Sequence, residues 1–317
     1  MSRRAKVVVA LAGLAVAVAV IVAPTASGGP ASAAIPAPTV SSSPSPGIEV
    51  GAAHRASYVP ALRGERPLFV LVLGSDARTG LGGSRADSIH LVGVDLKRRR
   101  ASILGFPRDS WVDIPGVGTN KINTALSYGG PDLMVKTIES ITGITIDFWV
   151  LTGFEGFRSM VSGIGGLKVR VLEPMHDSYS GANFDPGVHH FDGQQALSFA
   201  RDRHTLARGD LDRSANQGRL MLAALSKLRS VFEDDPTSLF TWISVGWRNA
   251  STDLDVATIL DLGLTAAQIP PSKVVNVVVP ATGGMVGSSS VVFISSSASS
   301  LYQDMRADGV IDHPPGG

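Results

Sequence analysis

Seventeen consecutive apolar residues, Val7 to Ala23, follow Arg3, Arg4 and Lys6, and no polar side chain interrupts them. A helix apolar on every side cannot serve as one wall of a water-facing core, and the segment that follows has nothing to pack on it. Such a run enters a membrane with its basic end inside. Its length sits at the lower edge of what spans a bilayer, and Ala31-Ser32-Ala33 offers a small-residue cleavage site. The first reading of residues 1–25 is therefore an uncleaved single-pass anchor, with a cleaved secretory signal as the alternative. Either places the remainder outside the cytoplasm. Residues 26–65 are rich in Pro, Ser, Ala and Gly, and Ser41 to Pro46 contains only Ser and Pro, the composition of an extended tether. Folding is left to residues 66–312, a length that buries a full core.

Charge and cysteine usage narrow the function. With 28 Lys plus Arg against 27 Asp plus Glu, the chain has no bulk positive field for holding nucleic acid, and no recognition-helix motif is visible. A nucleic-acid partner is not expected, and any positive site is local. The absence of Cys removes disulfide frameworks, thiolate metal sites and a thiol nucleophile.

Along the folded part, Pro67 to Leu73 is a continuous apolar run ending at Gly74, the pattern of a buried strand. Strands at about Ser88 to Leu96 and Ala101 to Pro107 flank the turn Lys97-Arg98-Arg99-Arg100, most simply a solvated hairpin tip. Pro131 opens a helical pattern closed by Gly143. A strand (Ile144 to Thr152), a helix (Phe154 to Ser162), a strand (Gly166 to Leu172) and a loop containing His, Gly and Asp follow. Helices near Gly193 to Arg201 and Asp210 to Phe232 come next, then a helix (Val256 to Ala267), a strand (Lys273 to Val279) and further strand and helix to about Asp308. This order predicts an α/β fold with a mixed, partly antiparallel central sheet flanked by helices.

Antiparallel pairing about Lys97 and Arg98 joins positions whose numbers sum to about 195, so Asp87 faces Arg108. If the first strand is antiparallel to the second, Gly74-Ser75-Asp76-Ala77-Arg78 reaches the same edge. Asp76, Arg78, Arg85, Asp87 and Arg108 then crowd one place, with Asp109 beside them. Each pair taken alone reads first as an incidental structural ion pair, but three strand ends meeting at one edge favour a site. Farther on, Asp210, Arg213 and Gln217 lie on the stripe continued by Leu220, Met221, Ala224 and Leu228, so the polar head of that helix points inward. Buried polar groups of this kind need partners or a ligand. Arg201 and Arg203 alternate just before it. Two carboxylates with several guanidinium forks suit a pyrophosphate, the carboxylates holding a divalent ion and the forks the phosphate oxygens.

Other chemistries fail on their motifs. The Gly80, Gly82, Gly83 loop lacks the lysine of a phosphate-binding loop, and Ser75 is not in a Gly-x-Ser-x-Gly elbow. His176, His189, His190 and His204 show no metal-ligand spacing and read as loop histidines.

At these residues the sequence resembles the LytR-CpsA-Psr family of cell-envelope phosphotransferases. The resemblance runs through FVLVLGSDAR, RADS at Arg85 to Ser88, FPRDSWVDIPGVGTNKIN at Phe106 to Asn123, YGGPDLMVKTIESITGI, GGLKV, FDGQQALSFARDRH and GDLDRSANQ at Gly209 to Gln217. It covers about Leu68 to Leu228. The resemblance implies that Asp76 and Asp87 bind Mg2+ against a pyrophosphate, that Arg85, Arg108, Arg201, Arg203 and Arg213 contact phosphate oxygens, and that Gln217 and Asp210 support them, with Lys121 in the KIN motif. It implies a donor polymer on a polyprenyl-pyrophosphate carrier, a muramic acid 6-hydroxyl of peptidoglycan as acceptor, and polyprenyl phosphate as the released product. Two positions depart from the family pattern, Asn216 where Arg is usual and Gly218 where a second Gln is usual.

On that reading the acceptor hydroxyl attacks the sugar-side phosphorus in line, and either Asp109 or Asp87 takes its proton. A lipid tail also needs shelter from water. The expected walls are Leu133, Val135 and Ile138, then Phe148 and Val150, then Phe154, Phe157 and Met160. A pyrophosphatase with water as acceptor, and a non-catalytic module that holds lipid-linked polymer, use the same residues and stand as alternatives.

Overall fold

The computed structural model describes residues 64–76 and 84–314. The expected anchor, nearly all of the tether and Arg78 lie outside the described residues. Strands β1 (Leu68–Ser75), β2 (Ala86–Asp95), β3 (Arg100–Gly105), β6 (Phe148–Gly153), β11 (Ala250–Thr252) and β12 (Val274–Val278) form a six-stranded sheet in the order β11-β6-β1-β2-β3-β12. Four two-stranded ribbons complete the β-structure. They are β4 (Trp111–Ile114) with β5 (Gly118–Lys121), β7 (Leu167–Val171) with β10 (Gly187–Phe191), β8 (Met175–Asp177) with β9 (Ala182–Phe184), and β13 (Ala281–Val286) with β14 (Ser289–Ile294). The helices are α1 (Thr124–Thr142), α2 (Phe154–Gly163), α3 (Gly193–Arg201), α4 (Asp210–Asp234), α5 (Ser238–Asn249), α6 (Val256–Ala266) and α7 (Ala298–Asp308).

The sheet is mixed. β2 pairs antiparallel with β1 and β3, whereas β1 and β6, and β3 and β12, are parallel. His90 faces Gly105 and Val92 faces Ile103, the register expected from the turn. β1 is buried on both faces, which is why its sequence is continuously apolar rather than alternating. Leu68, Val70 and Val72 join Phe148, Val150, Leu220, Met221 and Leu225 in the core under α2 to α6. Phe69, Leu71 and Leu73 join Met134, Val135, Ile138, Leu301 and Met305 in a second core under α1 and α7.

Three local differences from the sequence reading have physical causes. The helix expected from Pro131 begins instead at Thr124, because Gly129 and Gly130 leave helical geometry and Gly130 takes φ 64°, letting a short turn abut the segment that Pro131 opens. The basic turn is not merely solvated. Arg98 pairs with Asp95 at 3.0 Å and with Asp308 at 2.8 Å, and Arg100 pairs with Asp312, so the hairpin tip seats the C-terminal segment. The stretch read as a loop after β7 folds into β8, β9 and β10, and α5 and β11 were not anticipated. Among the described residues no helix is long and apolar enough to cross a membrane.

Candidate active site

The ends of β1 and β6, the start of β2, and α2, α3 and α4 enclose a cavity of about 250 Å3. Its polar end holds Asp87, Arg108, Arg201, Arg203, Arg213 and Gln217, and its apolar wall includes Phe154, Phe157, Met160, Leu167, Leu220 and Met221.

Each charged group reaches this place for a local reason. A bulge between Gly74 and Ser75 turns the end of β1, and Gly74 leaves room for Ser88, whose Cβ lies 2.9 Å from where a Cβ on residue 74 would stand. Beyond the bulge, the Asp76 N–H donates to the Arg85 carbonyl at 3.0 Å, and the Arg85 N–H donates to Asp76 Oδ1 at 2.7 Å. Asp87 and Arg108, opposed through the β2–β3 register, form an ion pair. A capping box between Asp192 and Gln195 starts α3. At its other end the buried Asp202 turns back onto Thr205, accepting from its hydroxyl at 2.5 Å, and leaves Arg201 and Arg203 on either side to line the cavity. The Arg201 guanidinium lies 5.1 Å from the centre of the Phe154 ring, a cation–π contact.

Gln217 ties the walls together: its Nε2 donates to the Asp87 carbonyl at 3.2 Å and to the Ala200 carbonyl at 3.1 Å. His90 does the same from the sheet, where Nε2 donates to the Ser214 carbonyl at 3.1 Å and Nδ1 accepts from Ser88 Oγ at 3.1 Å. Burial lowers the His90 pKa to about 4, the Ser214 bond opposing only part of that, so the ring is neutral near pH 7.

The charges form a chain. Asp109 lies 3.8 Å from Arg108, 3.4 Å from Lys121 and 3.9 Å from Arg203, and Arg213 pairs with Asp210 deeper inside. Burial works against the Arg108 charge, but Asp87 and Asp109 outweigh it and hold its pKa above the ordinary value. Arg213 is different, because burial dominates over its attraction to Asp210 and lowers its pKa. Arg108 Nε and Arg213 Nε are buried donors without a hydrogen bond. Unmet polar atoms at a cavity lined by arginines mark a place built to receive an anion.

The expected site residues therefore fall into groups. Asp87, Arg108, Arg201, Arg203, Arg213, Gln217 and Phe157 line the cavity; Asp109, Lys121 and Asp210 contact lining arginines or each other. Asp76 and Arg85 are joined through their backbones at the adjoining edge, and the Arg85 side chain faces solvent rather than the cavity. Phe148 and Val150 are not cavity walls. They are 1% and 4% exposed and packed in the core beneath it. Leu133, Val135 and Ile138 are excluded too, because α1 covers the opposite face of the sheet. Phe154, Phe157 and Met160 do form the wall, together with Leu167 and the apolar continuation of the α4 stripe.

Sequence reasoning missed Asp177, Tyr179 and His204 as cavity residues. The only signal was the histidine itself, next to Arg203; its partner lies 27 positions away across the β8–β9 ribbon. The two departures on α4 stand off the cavity. Asn216 is buried against Arg219, and a Cβ on residue 218 would lie 2.0 Å from Oδ1 of Asn276 on β12, so Gly218 makes room for that side chain.

Asp76 and Asp87 supply hard oxygen donors of the type Mg2+ takes. Asp76 uses Oδ1 for the Arg85 N–H and Asp87 uses Oδ1 for Arg108, which leaves each a second oxygen. Among the described residues no three carboxylates or histidines converge as a metal cage. Magnesium commonly binds through one or two carboxylates and completes its shell with phosphate and water, so donors of this kind are the ones it would take.

A profile of the LytR_cpsA_psr family matches residues 45–306. The chain belongs to that family. It is 36% identical to the probable cell wall biosynthesis protein LcpB of Corynebacterium glutamicum over 50% of this chain and 42% of LcpB. It is 35% identical to polyisoprenyl-teichoic acid--peptidoglycan teichoic acid transferase TagU of Oceanobacillus iheyensis, over 59% of each chain. The chain thus spans about half the length of these curated relatives. The solved structure of TagT bound to LIIa-WTA superposes with a TM-score of 0.64 and 26% identity, covering 78% of this chain and 92% of that one. The mixed sheet flanked by helices is the fold of the family.

Proposed function

We propose that this protein moves a glycopolymer phosphate from a polyprenyl-pyrophosphate carrier onto the muramic acid 6-hydroxyl of peptidoglycan, outside the cytoplasm. The observation that carries the reading is one cavity with four arginines at one end and an aromatic and aliphatic wall at the other. A pyrophosphate head and a hydrocarbon tail need that pair of environments side by side. The names of TagU and of the ligand-bound TagT agree with it. Residues 1–25 would hold the domain at the membrane where the carrier lipid resides.

In this reading Arg108, Arg201 and Arg203 grip the phosphate oxygens. The buried Arg213 meets charge that spreads over the phosphoryl group as the bond to the carrier phosphate breaks. Lys121 and Asp109 hold Arg108 and Arg203 in place, and Asp210 does so for Arg213. Mg2+, held by Asp76 and Asp87, would supply further charge neutralisation when bound. Phe154, Phe157 and Met160 shelter the first isoprene units.

The test is an incubation of the full chain in detergent with a polyprenyl-pyrophosphate-linked oligosaccharide, peptidoglycan and Mg2+. The expected products are a phosphodiester on peptidoglycan and polyprenyl monophosphate, both lost on chelation. Sugar phosphate released equally without peptidoglycan would support the pyrophosphatase instead, and unchanged donor would support a binding module.

A further inference from the structure

We infer that His204, oriented by Asp177, accepts the proton of the attacking acceptor hydroxyl. The inference rests on the transfer reaction proposed above and assigns the one role that reading left open between Asp87 and Asp109.

Both of those carboxylates are already committed to cations: Asp87 pairs with Arg108, and Asp109 lies among Arg108, Lys121 and Arg203. A proton delivered to either would oppose the ion pairs that shape the phosphate site. His204 lines the same cavity, immediately after Arg203, and is free of that conflict. Its Nδ1 lies 3.2 Å from Asp177 Oδ2. An ionised carboxylate can only accept, so Nδ1 carries the proton and the lone pair sits on Nε2. Nε2 has no hydrogen-bond partner among the described residues.

Asp177 is built for this task. Its side chain is 3% exposed, and the backbone N–H groups of Tyr179 and Ser180 donate to its two oxygens at 3.0 and 3.3 Å. Burial alone would raise its pKa, but those bonds and His204 outweigh it and keep the carboxylate ionised. The Tyr179 ring lies against the imidazole, with ring centres 4.8 Å apart and planes tilted by 49°. A buried carboxylate, an imidazole held in one tautomer and a free ring nitrogen at a cavity make a positioned proton acceptor.

The step balances. The acceptor oxygen forms a bond to the sugar-side phosphorus while the bond from that phosphorus to the bridging oxygen breaks. The bridging oxygen leaves with the electron pair as polyprenyl phosphate, and the hydroxyl proton moves to His204 Nε2.

The same assay, run from pH 5 to 8.5, tests it with His204→Ala, Asp177→Asn and, as a control on the exposed side of the ribbon, His176→Gln. The charged groups facing the cavity are Asp177, Asp87, Arg108, Arg201, Arg203 and Arg213, with the Tyr179 phenol at the rim. Carboxylic acids, guanidinium groups and phenols as classes ionise outside that range, so an acid limb within it is the signature of an imidazole base. The wild-type rate should fall along an acid limb as pH drops. His204→Ala should lose about 100-fold in kcat with donor KM little changed, lose that limb, and recover rate when imidazole is added. Asp177→Asn should lower kcat and keep a limb, and His176→Gln should match wild type. If His204→Ala keeps wild-type kcat and limb, or loses kcat and Tm together without imidazole rescue, His204 is not the base. Should wild type itself transfer nothing, the transferase reading falls, and this assignment with it.

Discussion

Arg203 and Arg213 carry the same charge into the same cavity, but their surroundings give them different consequences. The Arg203 side chain is 40% exposed and touches Asp109 only at 3.9 Å. Arg203→Ala should cost about 100-fold in turnover, the scale of a lost electrostatic stabiliser, while Tm barely moves. Arg213 is 7% exposed and Asp210 10%, paired within one turn of α4. Asp210→Asn strands a buried guanidinium, so urea unfolding should show a loss of about 3–5 kcal/mol. Equal effects of the two substitutions on Tm and kcat would erase the distinction. His90 adds a pH dependence. Its pKa falls from 6.5 in the unfolded chain to about 4 in the fold, so the unfolded state takes up a proton first as pH drops. The stability from a neutral His90 is complete above pH 6.5 and is lost between there and about pH 4, roughly 3 kcal/mol in all. Urea midpoints at pH 7 and 4.5 should separate in wild type and draw together in His90→Gln. The sequence showed the arginines at this scale, because their spacing survives in one dimension. It could not show His204, whose role exists only through Asp177, an acid contributed by a ribbon read as a loop.

At the scale of elements, the hairpin register followed from its turn, and the inward stripe of α4 followed from helical spacing. Which face of the sheet each helix covers did not follow. Strands buried on both sides have no polar face to mark one as outer, so Val135 on α1 and Phe148 on β6 looked like neighbours although the sheet lies between α1 and the cavity. Two bulky substitutions separate wall from core. Val150→Trp enters packed core and should lower stability by about 1–3 kcal/mol through overpacking, with donor KM unchanged in the protein that still folds. Ala224→Phe projects from α4 into the cavity and should raise donor KM several-fold with Tm nearly kept. Reversed outcomes, read by thermal melts and donor titrations, would put the cavity elsewhere.

Over the whole molecule, one face of the sheet is closed by α1 and α7, and the other is opened into a cavity by α2, α3 and α4. The two hydrophobic cores leave the charged strand ends between them, at the mouth of the cavity where the proposed lipid head would sit. The order α/β with a mixed sheet was readable because each element carries its own punctuation. The size of the cavity was not, since an apolar side chain lining a void has the same letter as one filling a core. If apolar wall and arginine cluster bind one amphiphile, as proposed, affinity depends on tail length. Binding to the full chain in detergent should be compared for two polyprenyl pyrophosphates that differ only in the number of isoprene units, one too short to pass the arginine end. With each sheltered methylene worth about 0.8 kcal/mol, the longer one should bind at least tenfold more tightly. Equal affinities for the two would show that the apolar wall does not hold the tail.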